Sequence, residues 1–551
     1  MNDFSVLIGG KAGEGLNKAG QILAHLLGRL GYRIYMYYDY PSLIRGGHNF
    51  SIIRGAEKKI AAHRATVDMV LALNQDTIDL HKDKLVPGGM VIFDSDYAKG
   101  EGMGVPLTGI IKEHHAPPIT KNSGIIGAFC RAAGIEWSLL EDVLKRDIPP
   151  KVMGINLAVA RGGFEAAREY KKIPDLNREA LPFLTGNEAI GLGLIQGGLT
   201  AYVAYPMTPS SSLLHFLAEL ADEMGLKVVH PENEIAVMNM ALGFASAGER
   251  VGLGTSGGGF CLMSEGLSLA GMAEIPVVIL MGQRTGPSTG LPTYTAQTEL
   301  AFVSHAGQGE FPRFVVAPGD AEEAYYWSKV ALNMAWKFLT PSFILSDKTL
   351  SEGGFSFHIH ETRTAPMEDS PRWDGAPPYR RYAFTESGVS PLAIYSAEDA
   401  VVKVNGYYHD ERGITTEDPG IVSSMQEKLL QKQRSMAKEM ANYETVYRAG
   451  RTDAETALLC WGSNKGVGEE VAENLGLRMV QPVVLLPFPV DSCRNALEGA
   501  HLVITVENNA TGQLANLMRL NGFTIHSEIH KYDGRPFTVE ELVDRVKEVL
   551  R

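Results

Sequence analysis

Between residues 200 and 293 short apolar runs alternate with turns rich in Pro, Gly, Ser and Thr. The runs and turns read TAYVAYPMTPSSSLL, KVVHPENEIAVMNMA, RVGLGTSGGGFCLMSEG and PVVILMGQRTGPSTGLPT. After the first three turns the apolar positions take up helical spacing. Strand followed by helix in this rhythm predicts a parallel sheet with its polar turns gathered at one edge. That edge is where open α/β sheets bind ligands.

The turns carry the candidate chemistry. Upstream, TGNEAIGLGLIQGGL predicts a helix with Thr185 as N-cap and Glu188 as its capping-box partner. In YPMTPSSS, Thr208 is expected to cap the next helix and Pro209 to take its first position, with Leu213, Leu214, Leu217 and Leu220 buried. Glu234 falls in the first turn of a helix that Pro231 is expected to open, with Ile235, Met238, Leu242 and Ala245 as its buried face. The helix dipole alone accounts for Glu232 and Glu234 there. A carboxylate at a ligand edge also suits hydrogen bonding to a heterocycle or proton transfer. Gly257, Gly258 and Gly259 permit close backbone approach. Arg284, on a loop stiffened by Pro287 and Pro292, suits a carboxylate clamp, with Thr289 and Thr293 as added hydroxyls.

Both flanks repeat the strand–helix alternation. Residues 4–38 read as strand, glycine loop, helix, strand, the helix face being Leu16, Ala19, Leu23, Leu26, Leu27 and Leu30. Gly9, Gly10, Gly13 and Gly15 match neither the dinucleotide fingerprint nor the Walker loop, so close packing competes with phosphate binding. Arg45 and His48 sit on a glycine-hinged loop suited to an anion or to a domain contact. Strands are expected at 66–75 and 89–94, helices at 122–134 and 136–146, and a linker at 160–183. Downstream, 362–395 reads as a connecting arm, His409 and Glu411 as a surface turn rather than metal ligands, and 424–442 as an exposed or interface helix. Glu507, Asn508 and Asn509 read as a cap or subunit contact, with ligand contact as the alternative. The fold class is multidomain α/β with parallel-sheet domains, divided at 1–175, 180–360, 361–452 and 453–551.

Composition narrows the function. At 551 residues the chain is too long for one core, so three or four domains are expected. A net charge of −13 with interspersed signs disfavours nucleic acid and anionic membranes. No apolar run reaches membrane-spanning length, and the start lacks a signal-peptide core. Cys130, Cys261, Cys460 and Cys493 are scattered, which disfavours disulfides, zinc and an iron–sulfur cluster. They are expected to be buried or half-buried thiols in a reducing cytoplasm.

YPMTPSSS, ENEIAVMNMALG, TSGGGFCLMSEG and RTGPSTGLPT resemble the α subunit of 2-oxoacid:ferredoxin oxidoreductases. Met207 replaces the family's usual isoleucine and Gly258 its usual proline, which loosens that turn. The first region, with GGKAGEG and RGGHNFS, resembles the family's γ component fused ahead of α, and the last resembles the C-terminal domain of transketolase-like enzymes. The resemblance implies a pyrimidine-type thiamine-diphosphate fold and CoA-dependent oxidation of a 2-oxoacid, 2-oxoglutarate favoured, with ferredoxin as acceptor. It implies that Glu234 hydrogen-bonds the cofactor's pyrimidine N1′, with Tyr205, Pro206 and Thr208 nearby, and that Arg284, Thr293 and Thr208 bind substrate. Arg45 and the γ-like loop are assigned to the CoA side.

The family's Gly-Asp-Gly motif and cluster cysteines are missing from this sequence. The resemblance therefore places magnesium and the [4Fe-4S] cluster in a partner β subunit, in an (αβ)2 assembly that also meets ferredoxin. Pyruvate or branched-chain 2-oxoacids are the alternative substrates. A non-catalytic nucleotide-binding or electron-transfer protein is the alternative class.

Overall fold

Val-, Ile- and Leu-rich runs too short for helices become strands, and the longer amphipathic stretches between them become covering helices. The computed structural model describes residues 3–42 and 47–551, apart from the side chain of Glu361. Arg45 therefore lies outside the described residues. The chain divides into two compact units.

The first unit comprises Met1–Thr185 with Glu352–His358 and Thr538–Asp544. Its sheet runs Met103–Val105, Leu85–Asp94, Val67–Ala72, Asp3–Lys11, His48–Ala56, Arg33–Asp39, Gly354–Ser356, Phe183–Thr185. The first four strands are parallel to one another, and each later pairing is antiparallel. The sheet is therefore mixed. Leu23, Leu26, Leu27, Ile125 and Phe129, from helices Leu16–Arg29 and Lys121–Ala132, are fully buried against it. The linker expected from residue 160 begins later, because helix Pro150–Ala166 continues to pack. A Cβ on Gly127 would strike the carbonyl of Ala160, and one on Gly163 that of Gly124. Two glycines thus let these helices cross almost backbone to backbone.

The second unit holds two sheets. The central one runs Val484–Leu486, Phe314–Val316, Pro341–Asp347, Val277–Gln283, Val251–Thr255, Ala201–Ala204, Lys227–Val229. Every pairing is parallel except that of Val484–Leu486 with Phe314–Val316. Strand Ala201–Ala204 is followed by Lys227–Val229 on one side and by Val251–Thr255 on the other. The strand order reverses there, which opens a crevice at the carboxyl ends. The smaller sheet runs Val446–Gly450, Arg478–Pro482, Thr456–Leu459, Leu502–Glu507, Ser527–His530.

Helix starts differ from the expected ones. The helix after strand Ala201–Ala204 begins at Ser211, with Thr208–Ser210 forming a turn instead of a cap. The next begins at Glu234, capped by Asn233, whose side chain accepts the Ala236 N–H at 3.0 Å. An asparagine in extended conformation supplies the acceptor for an orphan N–H of the first turn, which Pro231 cannot. Ile235 is 51% exposed, and the buried face is Val237, Met238, Ala241, Leu242 and Ala245.

The connecting region is ordered by charge. Helix Pro419–Glu439 buries Lys428 and Lys432, and both ammonium groups bond the carboxylate of Glu274. Arg381 donates to the carbonyls of Ala273 and Glu274 at 3.2 and 2.7 Å. The helix, expected to be exposed or at an interface, is thus anchored through its charged residues. His409 is 3% exposed and packs on Tyr382, ring centroids 3.7 Å apart, and Glu411 accepts from Arg380 at 3.0 Å.

Candidate active site

Four turns at the carboxyl edge of the central sheet enclose one cavity of about 490 Å³. Met207 enters from the turn after strand Ala201–Ala204, and Glu234 from the helix start after Lys227–Val229. Gly257, Gly258, Gly259 and Cys261 come from the turn after Val251–Thr255. Arg284, Gly286, Pro287, Ser288 and Thr289 follow Val277–Gln283, and Thr298, Glu299 and Phe302 close the wall.

The three glycines do different things. A Cβ on Gly259 would lie 2.7 Å from Glu234 Oε1 and 2.9 Å from its Cγ. Glu234, 7% exposed, therefore rests on bare backbone. A Cβ on Gly257 would lie 2.7 Å from Glu299 Oε1. At Gly258 the nearest atoms would be 3.9 Å away, on Met207 and Ser288, so this residue faces the open cavity.

Arg284 is half-buried, and its Nη1 donates to the Thr208 carbonyl at 2.9 Å, tying the first polar turn to the fourth. Burial lowers the guanidinium's affinity for its proton, and the nearby Glu299 partly restores it. Gly290, at φ 50°, turns the loop back where a Cβ would strike the Thr285 carbonyl, and Thr285 bridges Leu291.

Of the residues singled out in the sequence, Glu234, Arg284, Thr289 and the three glycines Gly257, Gly258 and Gly259 line the cavity. Thr208 meets it through its carbonyl's bond to Arg284. Thr293 is 4% exposed, with a buried hydroxyl that lacks a hydrogen-bond partner among the described residues, and it is not a lining residue. Tyr205 and Pro206 are exposed beside the cavity, Tyr205 edge-on to His230 at 5.8 Å. Cys261 is exposed, contrary to its expected burial, because it ends a one-turn helix at the cavity wall. Glu299 was not singled out, although Gln297-Thr298-Glu299 just after the Pro-rich loop was a readable signal.

Elsewhere the candidate loops are filled by the protein itself. In the N-terminal glycine loop the Glu14 carboxylate accepts the Lys11 N–H at 3.0 Å, and Asn122 bonds the Glu14 carbonyl at 2.6 Å. His48 Nε2 lies 2.8 Å from His81 Nε2. Glu507 caps a helix by accepting from Leu514 and Ala515 at 2.8 and 3.0 Å. Among the described residues no cluster of three or more His, Cys, Asp or Glu is arranged to hold a metal, and no helix is long and apolar enough to cross a membrane.

Comparison with known proteins identifies the family. Residues 192–427 match the family model described as pyruvate flavodoxin/ferredoxin oxidoreductase, thiamine-diphosphate-binding. Residues 5–166 match the model for pyruvate ferredoxin/flavodoxin oxidoreductase. An Aeropyrum pernix 2-oxoacid:ferredoxin oxidoreductase subunit alpha is 31% identical across 100% of this chain and 98% of its own length. A 2-oxoglutarate synthase subunit of Archaeoglobus fulgidus is 30% identical over 60% of this chain and 88% of its own. The solved 2-oxoglutarate:ferredoxin oxidoreductase of Magnetococcus marinus, with 2-oxoglutarate, coenzyme A and succinyl-CoA bound, superposes with a TM-score of 0.90 at 29% identity, covering 100% of both chains. The chain belongs to the 2-oxoacid:ferredoxin oxidoreductases, as an alpha subunit of that enzyme family.

Proposed function

We propose that this chain supplies the pyrimidine side of a thiamine-diphosphate site, completed by a partner subunit, at which a 2-oxoacid is oxidatively decarboxylated to an acyl-CoA. The single observation that carries the reading is that Glu234 and Arg284 line one cavity, with Gly259 leaving Glu234 no side chain to compete with. A buried carboxylate at a polar wall suits an aminopyrimidine ring, and this donor set fits the cofactor. When bound, thiamine diphosphate supplies the electron sink that decarboxylation requires.

Glu234 holds the proton at the pyrimidine N1′, the contact that governs the basicity of the ring's amino group. Arg284 pairs with the substrate carboxylate, oriented by its bond to Thr208. Thr208 borders the substrate side through the carbonyl that holds Arg284, Thr293 lies behind the wall and is given no substrate contact, and Tyr205 and Pro206 border the cofactor.

2-Oxoglutarate is the favoured substrate, supported by the likeness to the Magnetococcus marinus and Archaeoglobus fulgidus proteins. CoA would be the acyl acceptor, and a [4Fe-4S] cluster held by the partner would supply the electron transfer to ferredoxin. The sequence has no Gly-Asp-Gly motif, so the diphosphate, magnesium and cluster sites are assigned to a β subunit in an (αβ)2 assembly. Ile235, Leu262 and Leu291 support that partner. They are 51%, 51% and 42% exposed and stand on three of the segments that line the cavity. Apolar side chains grouped around a polar cavity mark a surface meant to be covered.

The test is to co-purify the chain with its partner and measure CoA-dependent reduction of ferredoxin or a viologen dye. 2-Oxoglutarate, pyruvate and branched 2-oxoacids are run in parallel. The reading expects the highest kcat/KM with 2-oxoglutarate. Turnover confined to another 2-oxoacid overturns the substrate assignment, and no CoA-dependent turnover with any of them overturns the function.

A further inference from the structure

Among the described residues, Glu299 is the one acidic side chain of the cavity wall besides Glu234. It follows the Arg284 loop and begins the turn into helix Leu300–His305. Its backbone N–H donates to Gln283 Oε1 at 3.1 Å, which fixes the residue against the strand that delivers Arg284. The side chain is nine-tenths buried. Oε1 accepts the Thr298 hydroxyl at 2.8 Å, and Oε2 is buried with no hydrogen-bond partner among the described residues. An ionised carboxylate left in that position loses more hydration than the hydroxyl and backbone N–H of Thr298 return.

The charged surroundings are sparse. Arg284 is the cation that acts on Glu299, and Glu299 the charge that acts on Arg284. Glu234 and Cys261 line the same cavity, Glu234 on the far side of the glycine turn. From the segments packed behind, Gln283 and Gln513 are uncharged, Gln513 bonding the Thr298 carbonyl at 2.8 Å. Glu507 lies beyond Asn509 and Gln297, with its oxygens already bonded. Burial raises the Glu299 carboxyl to about 7, with Thr298 and Arg284 acting against that rise.

We infer that Glu299 is a positioning residue that competes with the substrate carboxylate for the charge of Arg284, so that binding of the 2-oxoacid anion takes up one proton onto Glu299. In the ionised form, Glu299 offsets the guanidinium and repels the entering carboxylate. In the neutral form it leaves the whole charge of Arg284 to the substrate. The proton comes from solvent and returns to it when the anion leaves or loses its carboxylate as CO2. No bond to carbon changes at Glu299. The inference rests on the reading of Arg284 as the carboxylate clamp.

The experiment uses the complete complex with its partner subunit. KM and kcat are measured for the best 2-oxoacid between pH 6.5 and 8.5, in wild type and Glu299→Gln. Linkage to one group titrating near 7 predicts that wild-type KM rises about 20-fold across that range, whereas KM of Glu299→Gln stays flat near the low-pH wild-type value. Calorimetry of substrate binding to the wild type, in two buffers of different ionisation enthalpy, should show uptake approaching one proton at pH 8. This measurement stands even if the variant fails to fold. A flat wild-type KM, an unchanged slope in the variant, or no proton uptake overturns the inference while leaving the enzyme reading intact. Absence of 2-oxoacid binding or turnover at every pH removes both.

Discussion

Replacing Glu274 by Gln tests how helix Pro419–Glu439 is held, and the structure sets the size of the effect. The side chains of Lys428 and Lys432 are each 1% exposed and that of Glu274 3%, so all three charges lie out of water. The two ammonium groups hold the Glu274 carboxyl well below the usual carboxylate range, against its burial. One carboxylate cannot fully compensate two cations, and burial draws Lys432 down to about 7 from the ordinary lysine value of 10.5. Removing one member of a buried pair typically costs about 3–5 kcal/mol, because the other charge is stranded. Glu274 also sits at φ 52°, a left-handed conformation that costs a non-glycine residue on the order of 1 kcal/mol.

The sign with pH follows from the lysines. A lysine depressed in the folded state destabilises most when both states are protonated, below its folded value. That cost shrinks as pH rises toward its unfolded value. In Glu274→Gln both folded-state lysines fall further, so the deficit relative to wild type should be larger at pH 6 than at pH 9. Urea unfolding of wild type and variant at both pH values measures it. Replacing Glu274, Lys428 and Lys432 together by Met should recover most of the loss. A deficit under about 1 kcal/mol at pH 6, or one that does not change with pH, refutes the reasoning.

The glycine turn separates two outcomes. Gly259→Ala forces a Cβ to 2.7 Å from Glu234 Oε1 and should cut kcat about 100-fold, the scale for displacing a reacting group by about 1 Å. Gly258→Ala, with 3.9 Å to spare, should keep kcat within a few-fold, and equal losses in the two variants would contradict the geometry. Glu507→Ala leaves the Leu514 and Ala515 N–H groups buried without their acceptor and should cost on the order of 3 kcal/mol by urea unfolding. A loss indistinguishable from zero would remove Glu507 as the cap.

What the sequence made legible follows from where the information is local. Strand–turn–helix alternation over 200–293 placed four polar turns at one sheet edge, because period and turn chemistry are short-range properties. Helix starts were less legible. Pro231 and Thr208 were suitable residues nearby, but Asn233 and the turn through Ser210 govern the actual boundaries. Ile235 resembled a core position until the chain buried Val237 instead.

Long-range partners left no trace at all. Lys428 and Lys432 are spaced like a solvated face, and the carboxylate that buries them lies 154 and 158 residues away. Gly354–Ser356 completes the first unit's sheet although more than 160 residues separate it from Thr185. Glu299 stayed hidden for a related reason. Its burial, its stranded oxygen and its nearness to Arg284 arise only when the turn is folded over Gly257.

The most direct test of the central claim, that Glu234 serves the cofactor and Arg284 the substrate in one cavity, is a steady-state comparison. Wild type, Glu234→Gln and Arg284→Ala are assayed in the complex with the partner subunit for CoA-dependent ferredoxin reduction. The account predicts that Glu234→Gln lowers kcat by about 100-fold or more with little change in KM. It predicts that Arg284→Ala mainly raises KM for the 2-oxoacid. Wild-type kcat in Glu234→Gln, or an unaltered KM in Arg284→Ala, would contradict it.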